Sequence, residues 1–264
     1  MARLPIALAC ALAASLVSPA IAQPRQGGDT LTLAYDGVLV IKVFDMQVQQ
    51  RLQPAAFQAS ARLKSYGVLS LFKKIDVEAA AEGRMERGAP QPALFRHANH
   101  DGEANRAVEV RWTADDVKTH ISVPYPTIGD PLPTLEQKLA AADPLTQLTR
   151  IALTSPGDAP CRQALSFFDG REVYRLNFSA PQPREASSQE RAMGLTHPIR
   201  CAFTFTEVAG FDRKPAGKQN QGLGQPLSMD LAQLAGDGRW VIAAVRGRTP
   251  LGEARVQLRQ LSRD

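Results

Sequence analysis

The sequence predicts a mainly β protein: a strongly curved antiparallel sheet, an open barrel or a β-spiral, with a short helical insert. Three observations predict it. Apolar and polar residues alternate with period two along most of the chain, turn-forming pairs such as Asp169-Gly170 separate the alternating runs, and one central stretch switches to helix-forming residues. Roughly eleven or more strands in one chain would leave costly open edges unless the sheet curls, so a bent or partly closed sheet is expected.

The first alternating run is Leu31 to Gln53, with Leu31, Leu33 and Tyr35 in phase, a denser apolar set from Val38 to Phe44, and Asp36-Gly37 as a turn or bulge. Strands follow at Phe57–Ser65 and Lys74–Gly83. Between them Tyr66 to Phe72 is too rich in Leu and Phe for a solvated loop and is expected to tuck under or across the sheet. Gly88 to Pro92 reads as a turn, Ala93–Asn99 as a strand ended by His100-Asp101-Gly102, and Arg106–Trp112 with Val117–Val123 as a hairpin. Four prolines between Pro124 and Pro133 interrupt the pattern. From Thr134 the residues favour helix, and Asp143-Pro144 starts a second helix to about Leu153, with Asp as N-cap and Pro at the first helical position. Strands resume over Ala164–Phe178, folded about Asp169-Gly170. A polar stretch from Pro181 to Glu190 reads as an exposed loop, Ile199–Val208 as a strand, Lys214 to Gly224 as another loop, and Pro226–Leu261 as three further strands.

The start of the chain has the order of an export signal: Arg3, an apolar run from Leu4 to Val17, then Ala20-Ile21-Ala22 as a small-residue cleavage site. Residues 1–22 are therefore expected to be a signal peptide, cleaved before Gln23, and residues 23–264 a single β-rich domain in the periplasm. The apolar run of about 14 residues is short of the roughly 20 needed to span a bilayer, and no later run approaches that length. A formal net charge of +5 over 264 residues, with Lys and Arg scattered among Asp and Glu, argues against a nucleic-acid partner. Cys10 would be lost with the signal. That leaves Cys161 and Cys201, which in an oxidising compartment are expected to close a disulfide; two unrelated buried thiols are the alternative.

Catalytic signatures are absent from the sequence: it holds no nucleophile elbow, zinc-binding helix, phosphate-binding loop, Cys-x-x-Cys or dinucleotide fingerprint. The expectation is a non-enzyme without cofactor or metal. His97 and His100 with Asp101 and Glu103 have the side chains a metal would use, but a polar hairpin tip explains them equally well. Asp169, Arg171 and Tyr174 form the most compact polar cluster. They read either as ligand-orienting groups near the sheet rim or as a hairpin turn whose arginine packs on Tyr174 or pairs with an acid. Phe44, Phe57, Leu63, Phe72 and Trp112 are candidates to line an apolar cavity, or simply to fill a core.

Several of these segments carry a family likeness: Tyr66-Gly67-Val68-Leu69 with Leu71-Phe72, Asp143-Pro144-Leu145-Thr146, Cys161 followed by Phe168-Asp169-Gly170-Arg171 and Tyr174, Cys201 with Val208-Ala209-Gly210-Phe211, and Thr249-Pro250-Leu251-Gly252. In them the chain resembles the secreted envelope family catalogued as domain of unknown function 3108. More distantly it is similar to envelope-integrity β-spiral proteins and to lipoprotein carriers whose half barrel holds acyl chains. The resemblance implies a periplasmic envelope-maintenance protein that binds a lipid or a lipoprotein acyl chain on a concave apolar face. An adaptor that contacts envelope proteins through its strand edges, and a hydrolase of envelope polymers, are the alternatives.

Overall fold

The computed structural model describes residues 29–39, 41–67, 70, 74–100, 105–155, 160–162, 164–212, 227–249 and 252–264. The expected signal peptide, Phe72, Asp101, Glu103 and the whole Lys214–Gly224 loop lie outside them. Seven strands come first: β1 (Asp29–Val38), β2 (Lys42–Leu52), β3 (Ala56–Ser65), β4 (Asp76–Glu86), β5 (Ala89–Asn99), β6 (Ala107–Trp112) and β7 (Val117–Ile121). Helices α1 (Leu135–Leu139) and α2 (Pro144–Ala152) follow, then β8 (Leu165–Phe168), β9 (Val173–Phe178), the two-residue β10 (Gln182–Pro183) and helix α3 (Ser188–Ala192). Strands β11 (Leu195–Ala209), β12 (Leu227–Leu234), β13 (Trp240–Thr249) and β14 (Gly252–Arg263) complete the chain.

All the strands belong to one antiparallel sheet in the order β7-β6-β5-β4-β3-β2-β1-β14-β13-β12-β11-β9-β8, with β10 beside β11. The two chain-terminal strands β1 and β14 pair in its centre, while β7 and β8 are edges that share no ladder, so the sheet is not closed by hydrogen bonds. Its curvature has a local cause. Register shifts interrupt the ladders at Ala34/Tyr35, Gly37/Val38, Glu82/Gly83 and Asp230/Leu231, and each such bulge bends its strand and increases the twist.

The period-two reading accounts for the buried face. Leu31, Leu33 and Tyr35 of β1 are buried while Thr30, Thr32 and Ala34 between them are half-buried, and on β6 Val108 and Val110 point into the core between Ala107, Glu109 and Arg111. The turn expected at Gly88–Pro92 is shorter. Arg87 and Gly88, both at positive φ, make the β4–β5 hairpin, and β5 continues through Pro90 and Pro92 beside a bulge. Asp36-Gly37 is a bulge, and the β1–β2 turn falls after it. Tyr66, from the segment expected to tuck beneath the sheet, is exposed under Lys42.

Both expected helices form where their caps stand. Thr134 and Gln137 make a capping box for α1; Asp143 caps α2 by accepting the Thr146 amide at 2.8 Å, with Pro144 next. The concave side of the sheet is occupied by α2, which packs against β3, β4 and β5 on one side and against β8 and β13 on the other. Leu145 joins a core of Phe57, Phe95, Val108 and Phe168, whereas Ile151 joins a second one with Leu231 and Trp240. Two of the helix's buried polar groups are paired, Thr149 Oγ1 donating to the Leu145 carbonyl at 2.8 Å and Gln147 Nε2 to the Ser166 carbonyl at 2.6 Å, while Gln147 Oε1 has no partner.

Pro181–Glu190 is not the plain exposed loop expected from its composition. It includes β10 and runs into α3, whose N-cap Ser187 forms a capping box with Glu190, and Glu190 is buried against the Arg184 guanidinium. The local Ser187-x-x-Glu190 pattern is itself a helix-start signal.

Candidate functional site

The concave interior is incompletely filled. Between α2 and the strands β1, β2 and β13 lies a cavity of about 340 Å³, within the range of small-molecule sites. Leu33, Val48, Ile151 and Val241 supply apolar wall; Tyr35, Gln50 and Trp240 also belong to the lining, with the Trp240 Nε1 itself fully buried. Burial pushes the Tyr35 hydroxyl above its ordinary range, so it remains a protonated donor. Leu33, Tyr35, Val48 and Gln50 belong to the inward-facing set of the alternation that predicts β1 and β2. The specific signal was Gln50, a polar residue in phase with Met46 and Val48.

Of the five apolar candidates, the four among the described residues do not line this cavity. Phe57 is buried in the core that includes Val108 and Leu145, and Trp112 packs against that core, edge-on to Phe168 at 6.3 Å between ring centroids. Phe44 covers Gly37, whose missing Cβ would stand 2.2 Å from its ring, and Leu63 is half-buried opposite Met46.

Asp169, Arg171 and Tyr174 are brought close to the seam between the sheet's two ends, but they do different jobs. Asp169 Oδ1 accepts the backbone amides of Arg171 and Glu172 at 2.9 and 2.8 Å, which shapes the β8–β9 turn. Arg171 pairs with Asp212 and stacks on Tyr125, 4.4 Å from the ring centroid, while Arg106 covers Tyr125 at 3.9 Å. Tyr174 stacks between Phe167 and Phe205 at 4.9 and 5.2 Å and makes no arginine contact there. The segment from Ser122 to Pro131 thus straps the β6–β7 end to the end of β11: the Asp130 amide donates to the Phe211 carbonyl and the Gly210 amide to the Pro131 carbonyl.

Two titratable groups share this seam. Glu172, half-buried beside Asp169, has its carboxyl pushed up to about 7 by burial first and by the Asp169 charge second. His97 faces Asp169, but burial holds its ring below the ordinary histidine value. His100 is exposed, and among the described residues no three His, Cys, Asp or Glu side chains group as metal ligands.

Cys161, in a short 3-10 turn (Pro160–Arg162), and Cys201 on β11 stand at disulfide distance, with Cα atoms 6.1 Å apart. Away from the cavity, Asp230 is buried among Arg184, Arg200 and Arg246. Burial alone would raise its carboxyl, but the bonds from Arg200 and Arg246 outweigh that and hold it below the usual carboxylate range. No described helix is long and apolar enough to cross a membrane.

No protein-family model matches the chain, and no curated protein is similar to it. Among solved structures it is similar to a β-barrel-like protein of domain of unknown function DUF1849 from Brucella abortus, at 6% identity and a TM-score of 0.45, over 89% of this chain and 97% of that one. The resemblance to domain of unknown function 3108 is not supported by a family match.

Proposed function

We propose that the chain is a non-enzymatic, exported envelope-maintenance protein that binds an apolar or amphipathic molecule, such as a lipid or the acyl portion of a lipoprotein, inside the curved sheet. The observation that carries this reading is the cavity of about 340 Å³ between α2 and β1, β2 and β13. A core selected only for stability packs to the density of an organic crystal and leaves few voids larger than a water molecule. Export is supported by the Arg3 to Ala22 leader pattern and by the Cys161–Cys201 pair, which is of use in an oxidising compartment.

The experiment is native mass spectrometry of protein purified gently from the periplasm, together with uptake of an environment-sensitive apolar dye. Co-purifying lipid is expected, as is dye binding that is lost in Val241→Phe. Bare polypeptide mass combined with failure to take up dye overturns the reading. A second reading, an adaptor for envelope proteins, draws on the exposed apolar side chains Ile128, Leu132 and Leu135. It expects Ile128→Asp with Leu132→Asp to abolish crosslinks to envelope proteins while Val241→Phe leaves them intact.

A further inference from the structure

Three polar side chains in the cavity wall lack partners. Tyr35, Gln50 and Trp240 are 5, 3 and 4% exposed, and all three line the cavity. No described residue hydrogen-bonds to the side chain of Tyr35 or Gln50, and the Trp240 Nε1 hydrogen is likewise unpaired. Buried polar groups are almost always satisfied, because each unmade bond costs free energy that apolar packing does not return. On the buried helix α2, Thr146 and Thr149 both donate to neighbouring oxygens, while Gln147 Oε1 there also lacks a partner.

Building on the apolar-ligand reading, we infer that the cavity selects an uncharged lipid whose ester or amide carbonyl is taken up inside it, in preference to a free fatty acid. The donor chemistry specifies the acceptor. A phenol that stays protonated donates, and a glutamine amide both donates and accepts. The electrostatics exclude the carboxylate. Among the described lining residues there is no Lys, Arg or His, so an ionised headgroup would be buried without a counter-charge. Leu33, Val48 and Val241 provide the wall for the chain. Gln50 pairs with Leu31, and Tyr35 with Met46. At about 3.3 Å per residue the two positions are roughly 13 Å apart along the strands, so they mark opposite ends of the site.

The test uses the full oxidised chain at pH 8, loaded with an apolar fluorescent dye and titrated with dodecanoate, methyl dodecanoate and dodecane. The ester is expected to displace the dye at a concentration at least about tenfold lower than the carboxylate, and below that of the alkane. Tyr35→Phe or Gln50→Leu should remove most of the ester's advantage over dodecane without weakening dodecane itself, and the variant that does so identifies the end holding the carbonyl. Because each substitution removes an unpaired polar group, folding should survive; near-ultraviolet circular dichroism checks this. Equal displacement by ester and alkane in wild type, or strongest displacement by dodecanoate, overturns the inference while leaving apolar binding intact. Failure of the dye and of every competitor to bind overturns the apolar-ligand reading and this inference with it.

Discussion

The Cβ that Gly170 lacks would lie 2.4 Å from Cγ1 of Val108. The β8–β9 turn at one end of the sheet therefore sits directly on β6 near the other, so the two ends meet there by side-chain packing where no strand pairing exists. Gly170 also has a φ of 102°, which side-chain-bearing residues rarely adopt. Gly170→Ala should lower stability by about 2–3 kcal/mol through strain and overpacking together, read as a drop in the urea midpoint at unchanged slope. A midpoint within error of wild type would show that the seam is loose.

The same seam should make stability depend on pH through Glu172. Its folded carboxyl titrates near 7, above the ordinary glutamate value. Between about pH 4.5 and 7 the unfolded chain has lost this proton while the folded one keeps it, so the folded state binds more protons and stability falls as pH rises through that window. Asp169, Asp212 and Glu207 oppose the ionised form and Arg171 favours it. The urea stability of the wild type minus that of Glu172→Gln should fall as pH rises from about 4.5 to 7; a difference that stays flat over that window would assign the titration to another group.

Asp230 tests the opposite sign. Its folded carboxyl is depressed, so its contribution is present above the ordinary aspartate value and lost as pH falls below it. Asp230→Ala leaves Arg184, Arg200 and Arg246 facing one another around a removed carboxylate. A loss of about 3 kcal/mol at pH 7 is expected, measured by urea unfolding, and it should shrink toward pH 3.

Joining Cys161 to Cys201 closes a loop with a sequence separation of 40. The loop-entropy model gives about 4 kcal/mol for such a closure. Cys161→Ala with Cys201→Ala should therefore lower the unfolding free energy by about 2–4 kcal/mol relative to the oxidised chain, and adding reductant to the wild type should reproduce the shift. If the double variant matches the wild type, the two residues serve only as buried apolar groups.

How far the sequence reached can be traced residue by residue. The α2 start was legible because Asp143 and Pro144 act through local chemistry alone, and the alternation of Leu31, Leu33 and Tyr35 is local as well. The destination of α2 was not legible: Thr146 and Thr149 look like solvent-facing positions until the curved sheet surrounds them. Nor does alternation distinguish a filled core from a void, since Phe57 and Val48 are both inward-facing residues and only the three-dimensional packing leaves space beside the second. Glu172 carried no signal, because its shift arises from burial and from the Asp169 turn. Ser187 and Glu190 did carry one, and polar composition concealed it.

Void and filled core can be told apart by adding volume. In the core around Leu145, Val108 is 2% exposed among closely packed neighbours, so Val108→Leu should overpack and cost about 1–3 kcal/mol. Val48 is almost as buried, at 3%, but its side chain borders the cavity. There an added methylene can enter existing space, make new dispersion contacts and remove more apolar surface from water, worth up to about 0.8 kcal/mol. Val48→Leu should therefore be neutral or stabilising by thermal and urea unfolding, while weakening the apolar dye through competition for the same volume. The two substitutions make the same chemical change at inward-facing strand positions, so the difference between them isolates packing from propensity. Equal destabilisation at both sites would mean that the interior collapses around α2 in solution, and a binding site formed by that space would go with it.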